Sequence, residues 1–311
     1  MKSLAPVFLV GSVRSGSTFL RLMLDAHPFI TNPGECDFLI DLVDDGGRYP
    51  SLDEYHRFLA ANRIFLAKGL AVDVSHSYPA LMRSFLDQFQ RDDAVLVMNL
   101  HRHFHRVPRV FPEARYIHLI RDPRDVARSC MAMGWAGNAY RGVDIWVEAE
   151  RSWDRLKNGL REDQYLEIRY EDLLDDIEAG LARICHFLGL EYSARMLDYA
   201  ANSTYGQPDK NLSQQWKTKY SAHELRLVEG RLGQVLVDRG YESSGHEPCH
   251  PGVIERLLLL ANDKRYRIGH RINRYGFALY LKNLVASYSG LRDLQHACQR
   301  QINLIDLQHL K

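Results

Sequence analysis

The sequence predicts an α/β fold, a parallel sheet flanked by helices on both faces, with a C-terminal helical extension. Three observations carry that prediction. Short apolar runs alternate with longer segments of helical period, the pattern of strands joined by helical crossovers. Several of the runs are nearly continuous in apolar residues, as strands covered on both faces require. The first run, Val7-Phe8-Leu9-Val10, leads directly into Gly11-Ser12-Val13-Arg14-Ser15-Gly16-Ser17-Thr18, a glycine loop that opens a helix. Backbone N–H groups at such a junction can wrap an anion, which makes the sheet P-loop-type.

Strands are expected at 6–11, 94–99, 115–120 and 164–170. Helical patterns lie at about 17–26, 36–44, 52–67, 77–90, 123–132, 142–160, 172–188, 193–201 and 221–239. The helix at 123 has a clear start signal: Asp122 is a good N-cap, Pro123 suits the first position and Asp125 the first turn. Trp146 and Trp153, seven apart on a helical pattern, are expected in the core. Residues 242–252 carry turn chemistry and read as a linker. The expected organisation is therefore a domain at 1–241, a linker at 242–252 and a helical extension at 253–311.

Composition narrows the class. With 311 residues the chain can bury one sizeable core, and 46% hydrophobic against 25% charged residues is the balance of a globular protein. A net charge of +1 gives no argument for nucleic acid. No uninterrupted apolar run reaches the roughly 18 residues of a membrane span, and the N-terminal run is of strand length and feeds the loop, unlike a signal peptide. Five scattered cysteines without a CxxC pair fit a reduced, cytoplasmic protein better than a disulfide or zinc framework. The charge is uneven: 251–311 holds 10 Lys/Arg against 4 Asp/Glu.

The glycine loop departs from a triphosphate site at one position. Ser17 stands where such a site has the Lys that reaches the β- and γ-phosphates, and the positive charge sits earlier, at Arg14. A second cluster, Arg121-Asp122-Pro123-Arg124-Asp125, follows the third strand. Helix capping explains Asp122, Pro123 and Asp125. It leaves Arg121 and Ser129 over, and a guanidinium fork with a hydroxyl suits a second phosphate.

Arg14-Ser15-Gly16-Ser17-Thr18 after the first strand, with Arg121 and Ser129 eight residues apart after the third, resembles the sulfotransferase family that uses 3′-phosphoadenosine 5′-phosphosulfate (PAPS). The bacterial and protein-tyrosine branches are the most similar, and the resemblance covers roughly residues 6–240. It implies that Arg14, Ser15, Gly16, Ser17 and Thr18 hold the 5′-phosphosulfate, and that Arg121 and Ser129 hold the 3′-phosphate. It places Tyr170, in Arg169-Tyr170-Glu171-Asp172, near the nucleotide. It implies no metal, PAPS as cosubstrate and adenosine 3′,5′-bisphosphate (PAP) as product. In Asn32-Pro33-Gly34-Glu35 it points to Glu35 as catalytic base, with Arg14 stabilising charge.

Family members often carry a Lys after the strand at 94–99; this chain has Asn99-Leu100-His101-Arg102-His103-Phe104-His105. His101, Arg102 and His103 are candidates for that duty or for the substrate rim, the alternative being that Arg14 alone supplies the charge, and a metal site on the alternating histidines is the weaker reading. His27 and His118 read as structural. In Asn211-Leu212-Ser213-Gln214-Gln215-Trp216-Lys217, Trp216 could stack on adenine and Lys217 could reach a phosphate, and packing in a loop explains them equally well. Trp135 suits an acceptor-side loop or a buried anchor. The acceptor is a small molecule, glycan, lipid or peptide. Rival readings are a P-loop kinase or NTPase and a non-catalytic nucleotide-binding protein. Lys264, Arg267, Arg271 and Arg274 form one basic helical face of the extension. Packing on a domain or a second subunit, as in a homodimer, is favoured there over peripheral contact with a membrane.

Overall fold

In a computed structural model, which describes residues 5–91, 93–202 and 213–308, the apolar runs do form a parallel sheet. Among these residues five strands are present: β1 (Val7–Val10), β2 (Ile30–Thr31), β3 (Val95–Leu100), β4 (Arg115–Ile120) and β5 (Tyr165–Arg169). Their order is β2-β3-β1-β4-β5, all parallel, with β1 at the centre. β2 is two residues long, too short for a periodic signal, and was absent from the sequence expectation.

The helices are α1 (Ser17–Asp25), α2 (Leu52–Ala61), α3 (Arg63–Lys68), α4 (Tyr78–Phe89), α5 (Val107–Val110), α6 (Pro123–Ala132), α7 (Ala139–Lys157), α8 (Tyr170–Asp175) and α9 (Ile177–Leu188). They continue with α10 (Trp216–Lys219), α11 (Ala222–Leu232), α12 (Gln234–Asp238), α13 (Val253–Tyr275), α14 (Phe277–Ser289) and α15 (Arg292–Gln308). Among the described residues, no helix is long and apolar enough to cross a membrane.

Alternation along the strands feeds two cores. Phe8 and Val10 of β1 join Leu96, Met98 and Leu100 of β3 against α2 to α4. Val7 and Leu9 join Ile117 and Leu119 of β4 against α1 and α9. Both faces are thus buried, which is why the strands read as continuous apolar runs. Trp146 and Trp153 are fully buried, as expected.

Three long helical expectations are each broken in two by a residue that starts a new helix. Asn62 is extended and its side chain accepts from Ile64 and Phe65 N–H; Asp176 accepts from Ala179 N–H; Gly233 turns at φ 57. The expected helix at 36–44 is a correction. Only a 3₁₀ turn, Asp37–Leu39, forms there. Cys36 N–H bonds to the Asn99 carbonyl at 2.9 Å, and the Asp37 carboxylate accepts from His101 N–H at 2.8 Å, so the chain is stitched to the end of β3 instead. The segment at 193–201 is likewise 3₁₀, Ala194–Asn202.

Beneath the sheet lies a buried charge cluster. His118 of β4 points Nε2 at Glu150 (3.2 Å) and Nδ1 at Glu167 (3.4 Å). Burial disfavours the imidazolium, but the two carboxylates outweigh it and raise the His118 pKa. Burial also pushes Glu167 up, yet hydrogen bonds from His118, Lys157 and Trp153 hold it at about 2. A raised histidine contributes stability fully below its unfolded value of about 6.5 and loses it as pH rises through the folded value. The stability margin of the wild type over His118→Asn, from urea midpoints, should therefore be largest below about pH 6.5 and shrink toward alkaline pH. A margin independent of pH would show that His118 is not charged in the fold.

Candidate active site

Parallel strands deliver their carboxyl ends to one edge, where ligands bind in open α/β sheets. The registers Val10↔Leu100, Val10↔His118 and Ile120↔Arg169 bring the segments after β1, β3, β4 and β5 to that edge. Gly11 is wedged there. Its N–H bonds to the Leu100 carbonyl at 3.3 Å, and any Cβ on it would collide with the Leu119 carbonyl oxygen.

The loop then turns through two left-handed residues, Arg14 at φ 68 and Gly16 at φ 96. Such a turn aims consecutive N–H groups inward. α1 starts at Ser17 with no side-chain cap, so its first N–H groups remain available to an anion. Thr18 follows in that first turn, half-buried. The buried Ser15 hydroxyl has no hydrogen-bond partner. An orphaned buried donor beside uncapped helix amides fits a phosphate or phosphosulfate group.

The second cluster meets this loop. Asp122 caps α6 by accepting from Arg124 N–H, and its own N–H is held by Glu171 at 3.0 Å. Trp146 Nε1 donates to the Arg121 carbonyl at 3.0 Å, fixing the strand's end. Arg121 then donates from Nη1 to the Arg14 carbonyl at 3.1 Å, with its guanidinium carbon 4.6 Å from the centre of the Tyr170 ring. Arg14 Nε donates to Ser129 Oγ at 2.8 Å. Tyr170 packs so closely on Gly16 that a Cβ there would strike its ring. Arg14, Gly16, Arg121, Ser129 and Tyr170 thus form one cluster.

Glu35 arrives on a strap pinned to β3. It pairs as an isolated parallel bridge with Asn99, whose N–H bonds to the Gly34 carbonyl at 2.9 Å. Asn32 accepts from Gly34 N–H, donates to Asn99 Oδ1 at 3.2 Å, and is itself anchored through its N–H to Asp25. Asn99 Nδ2 reaches the Ser17 carbonyl at 3.5 Å. Sequence reasoning missed this asparagine pair; Asn32 two residues before a left-handed glycine was the available signal. The Glu35 side chain is 46% exposed, and His101 Nε2 lies 3.7 Å from its Oε1. His101 Nδ1 faces the Gly11 carbonyl at 3.0 Å, which can only accept, so the proton sits on Nδ1. His101 therefore links the phosphate loop to Glu35. Beside them the thiol of Cys36 is pushed up to about 12 by burial.

Other sequence candidates lie elsewhere or are engaged. Arg102 makes a two-pronged bond to Asp41, 2.7 Å on each prong. His103 is left-handed (φ 56) and lines a cavity of about 450 Å³ with Val13, His101, Arg106 and Arg151. His105 lines the same cavity, its ring centre 6.4 Å from that of His103, and its two nitrogens are engaged by Ser152 and Asp45. Among the described residues, no group of three or more His, Cys, Asp or Glu is placed to hold a metal ion. Trp135, 40% exposed, sits in the turn after α6. Trp216 is buried with the Arg124 guanidinium 3.5 Å from its ring centre, and Lys217 bonds to Gln214. Both line a cavity of about 560 Å³ to which residues 11–18 contribute nothing. Asn211 and Leu212 of that segment lie outside the described residues. Asp125 holds the segment by accepting from Gln214 and Trp216 N–H, a duty the sequence did not disclose.

Gly16→Ala combines a left-handed strain with a collision on Tyr170. It should cost about 2 kcal/mol or more in urea unfolding, and pyrophosphate should raise the thermal midpoint of the wild type but not of this variant. Retained protection would show that the loop is not the anion site.

Comparisons with known proteins agree with this geometry. The profile of the sulfotransferase family matches residues 6–194. Omega-hydroxy-beta-dihydromenaquinone-9 sulfotransferase of Mycobacterium tuberculosis is 28% identical over 164 residues, 45% of this chain and 39% of the relative. Protein-tyrosine sulfotransferase A of Caenorhabditis elegans is 25% identical over 207 residues, 62% of this chain and 52% of the relative. The chain thus spans about half or less of these relatives' lengths. The sulfotransferase domain of the Synechococcus PCC 7002 olefin synthase shares the fold, with a TM-score of 0.54 at 22% identity over 74% of this chain and 96% of that domain. The chain belongs to the sulfotransferase family.

Proposed function

We propose that the chain moves a sulfuryl group from PAPS to an acceptor hydroxyl and releases PAP. The joined anion site carries this reading: the Arg14–Ser129 bond at 2.8 Å and the Arg121–Arg14 carbonyl bond at 3.1 Å unite the glycine loop with the second motif. In this reading the amides of 14–18 and Arg14 hold the 5′-phosphosulfate, and Arg121 and Ser129 hold the 3′-phosphate, with Tyr170 as a wall. Ser17 in place of a lysine weighs against a triphosphate.

Glu35 takes the proton of the acceptor hydroxyl, whose oxygen bonds to sulfur as the bond from sulfur to the 5′-phosphate breaks. Charge gathering on that phosphate is met by the loop amides and Arg14. We assign the duty of the missing lysine to His101, the basic side chain that touches both the loop and the base. His103 and Trp135 are assigned to the acceptor rim, Arg102 to holding that rim through Asp41. Trp216 and Lys217 are read as packing.

The acceptor is a small molecule, glycan, lipid or peptide; the names of the two relatives already span a hydroxylated menaquinone and protein tyrosine. Residues 1–241 are taken as the PAPS-binding domain and 253–311 as an appended helical unit. All five cysteines are free and four are buried, which supports a cytoplasmic setting.

Transfer of labelled sulfate from PAPS to an extract of the native cell, with mass identification of the product, tests the activity. Glu35→Gln should lower turnover by about 10²–10⁴-fold with PAP affinity unchanged in calorimetry. Turnover near wild type would remove Glu35 as base. Arg121→Ala should weaken PAP binding by about ten- to a hundredfold, and unchanged affinity would remove that assignment. ATP hydrolysis without PAPS binding would favour the kinase or NTPase reading.

A further inference from the structure

Two helices of the extension bear exposed apolar side chains among the described residues: α14 with Phe277, Leu281, Val285 and Tyr288, and α13, where the apolar stretch runs on into cations. α13 seats its other face on the segment after α6. Gly137 N–H donates to Asp263 Oδ1 at 2.7 Å, Asn138 Nδ2 to the Leu259 carbonyl at 2.9 Å and Tyr266 OH to the Met131 carbonyl at 3.1 Å, while His270 covers Gly134. At about 100° per residue, Leu259, Asp263, Tyr266 and His270 share one side. The opposite side begins with Val253, Ile254, Leu257 and Leu258, exposed by 79%, 76%, 60% and 65%. Aliphatic side chains this bare and this close together form a patch, not the scatter of an ordinary surface.

The same side continues with Lys264, Arg265, Ile268 and Arg271, all exposed. Among the described residues none of these three cations is in an ion pair. The carboxylates of α13 are already engaged, Glu255 by His223 at 2.7 Å and Asp263 by Gly137 N–H and Arg267. The face therefore joins an aliphatic half to a cationic half and presents no acid.

Charge decides what covers it. Isologous pairing with a second copy would set Lys264, Arg265 and Arg271 against the same cations or against bare aliphatic surface, with no carboxylate to meet them. A leaflet with anionic headgroups offers an acyl boundary to one half and phosphates to the other. We propose that α13 docks the protein on an anionic lipid surface, lying in the interface plane with Val253, Ile254, Leu257 and Leu258 at the acyl boundary. Lys264, Arg265 and Arg271 contact the headgroup phosphates. This docking is independent of the proposed sulfuryl transfer.

Flotation of the full chain with vesicles tests it, using phosphatidylcholine alone and phosphatidylcholine mixed with phosphatidylglycerol. Binding to the mixed vesicles should be stronger by on the order of a hundredfold at low salt and should fade at high salt. Leu257→Glu/Leu258→Glu and Lys264→Glu/Arg265→Glu should each abolish flotation with an unchanged thermal midpoint, because the replaced side chains are exposed. Absence of flotation on mixed vesicles at low salt overturns the proposal, and equal binding to both vesicles overturns the headgroup contacts. A dimer in sedimentation that either double variant dissolves, without vesicle binding, would assign the face to a second copy.

Discussion

The site depends on how tightly the end of β1 is held between its neighbours. Gly11 gives its N–H to Leu100 of β3, offers its carbonyl to His101 and has no room for a side chain over Leu119 of β4. One residue thereby fixes the departure of the phosphate loop, the orientation of the imidazole beside Glu35 and the spacing of the two strands that supply the rest. Geometry of this kind is rigid because each contact is backbone or buried, and backbone groups withdrawn from water must keep their partners.

A second layer holds the motif after β4. Arg124 is buried, bonded to Asp122 through Nε and Nη2 and to Glu229 through Nη1, and covered by Trp216. Glu171 grips the Asp122 N–H and receives the Tyr241 hydroxyl; burial pushes the Glu171 and Asp125 carboxyls up. Buried ion networks add little net stability over apolar packing but are costly to break. Their product here is position, since Arg121 and Ser129 stand on the strand end and helix that this network orients.

The strands and the two motifs were legible because their signals are local. β1 is apolar on both faces, β3 is so up to Asn99 and β4 apart from Arg115 and His118, and the loop and the capped helix each occupy one short stretch of chain. The remainder depended on residues far apart in sequence. Asn32 and Asn99 meet across 67 positions, and Asp125 reaches Trp216 across 91. The stretch at 36–44 misled because Phe38, Leu39, Ile40 and Val43 are all core residues although no α-helix forms there. Apolar content reveals burial there, and the path of the backbone is set by bonds to β3. Arg102 looked like an available cation in a basic run, but Asp41 claims its fork.

Arg14 is one of three non-glycine residues with positive φ among the described residues. A side chain in that conformation costs on the order of 1 kcal/mol relative to glycine. The expense is local and permanent, borne in every folded molecule whether or not a ligand is near. Drift toward glycine at this position would yield a sturdier loop stripped of its guanidinium. Arginine there thus sets reactivity and robustness in opposition at a single codon.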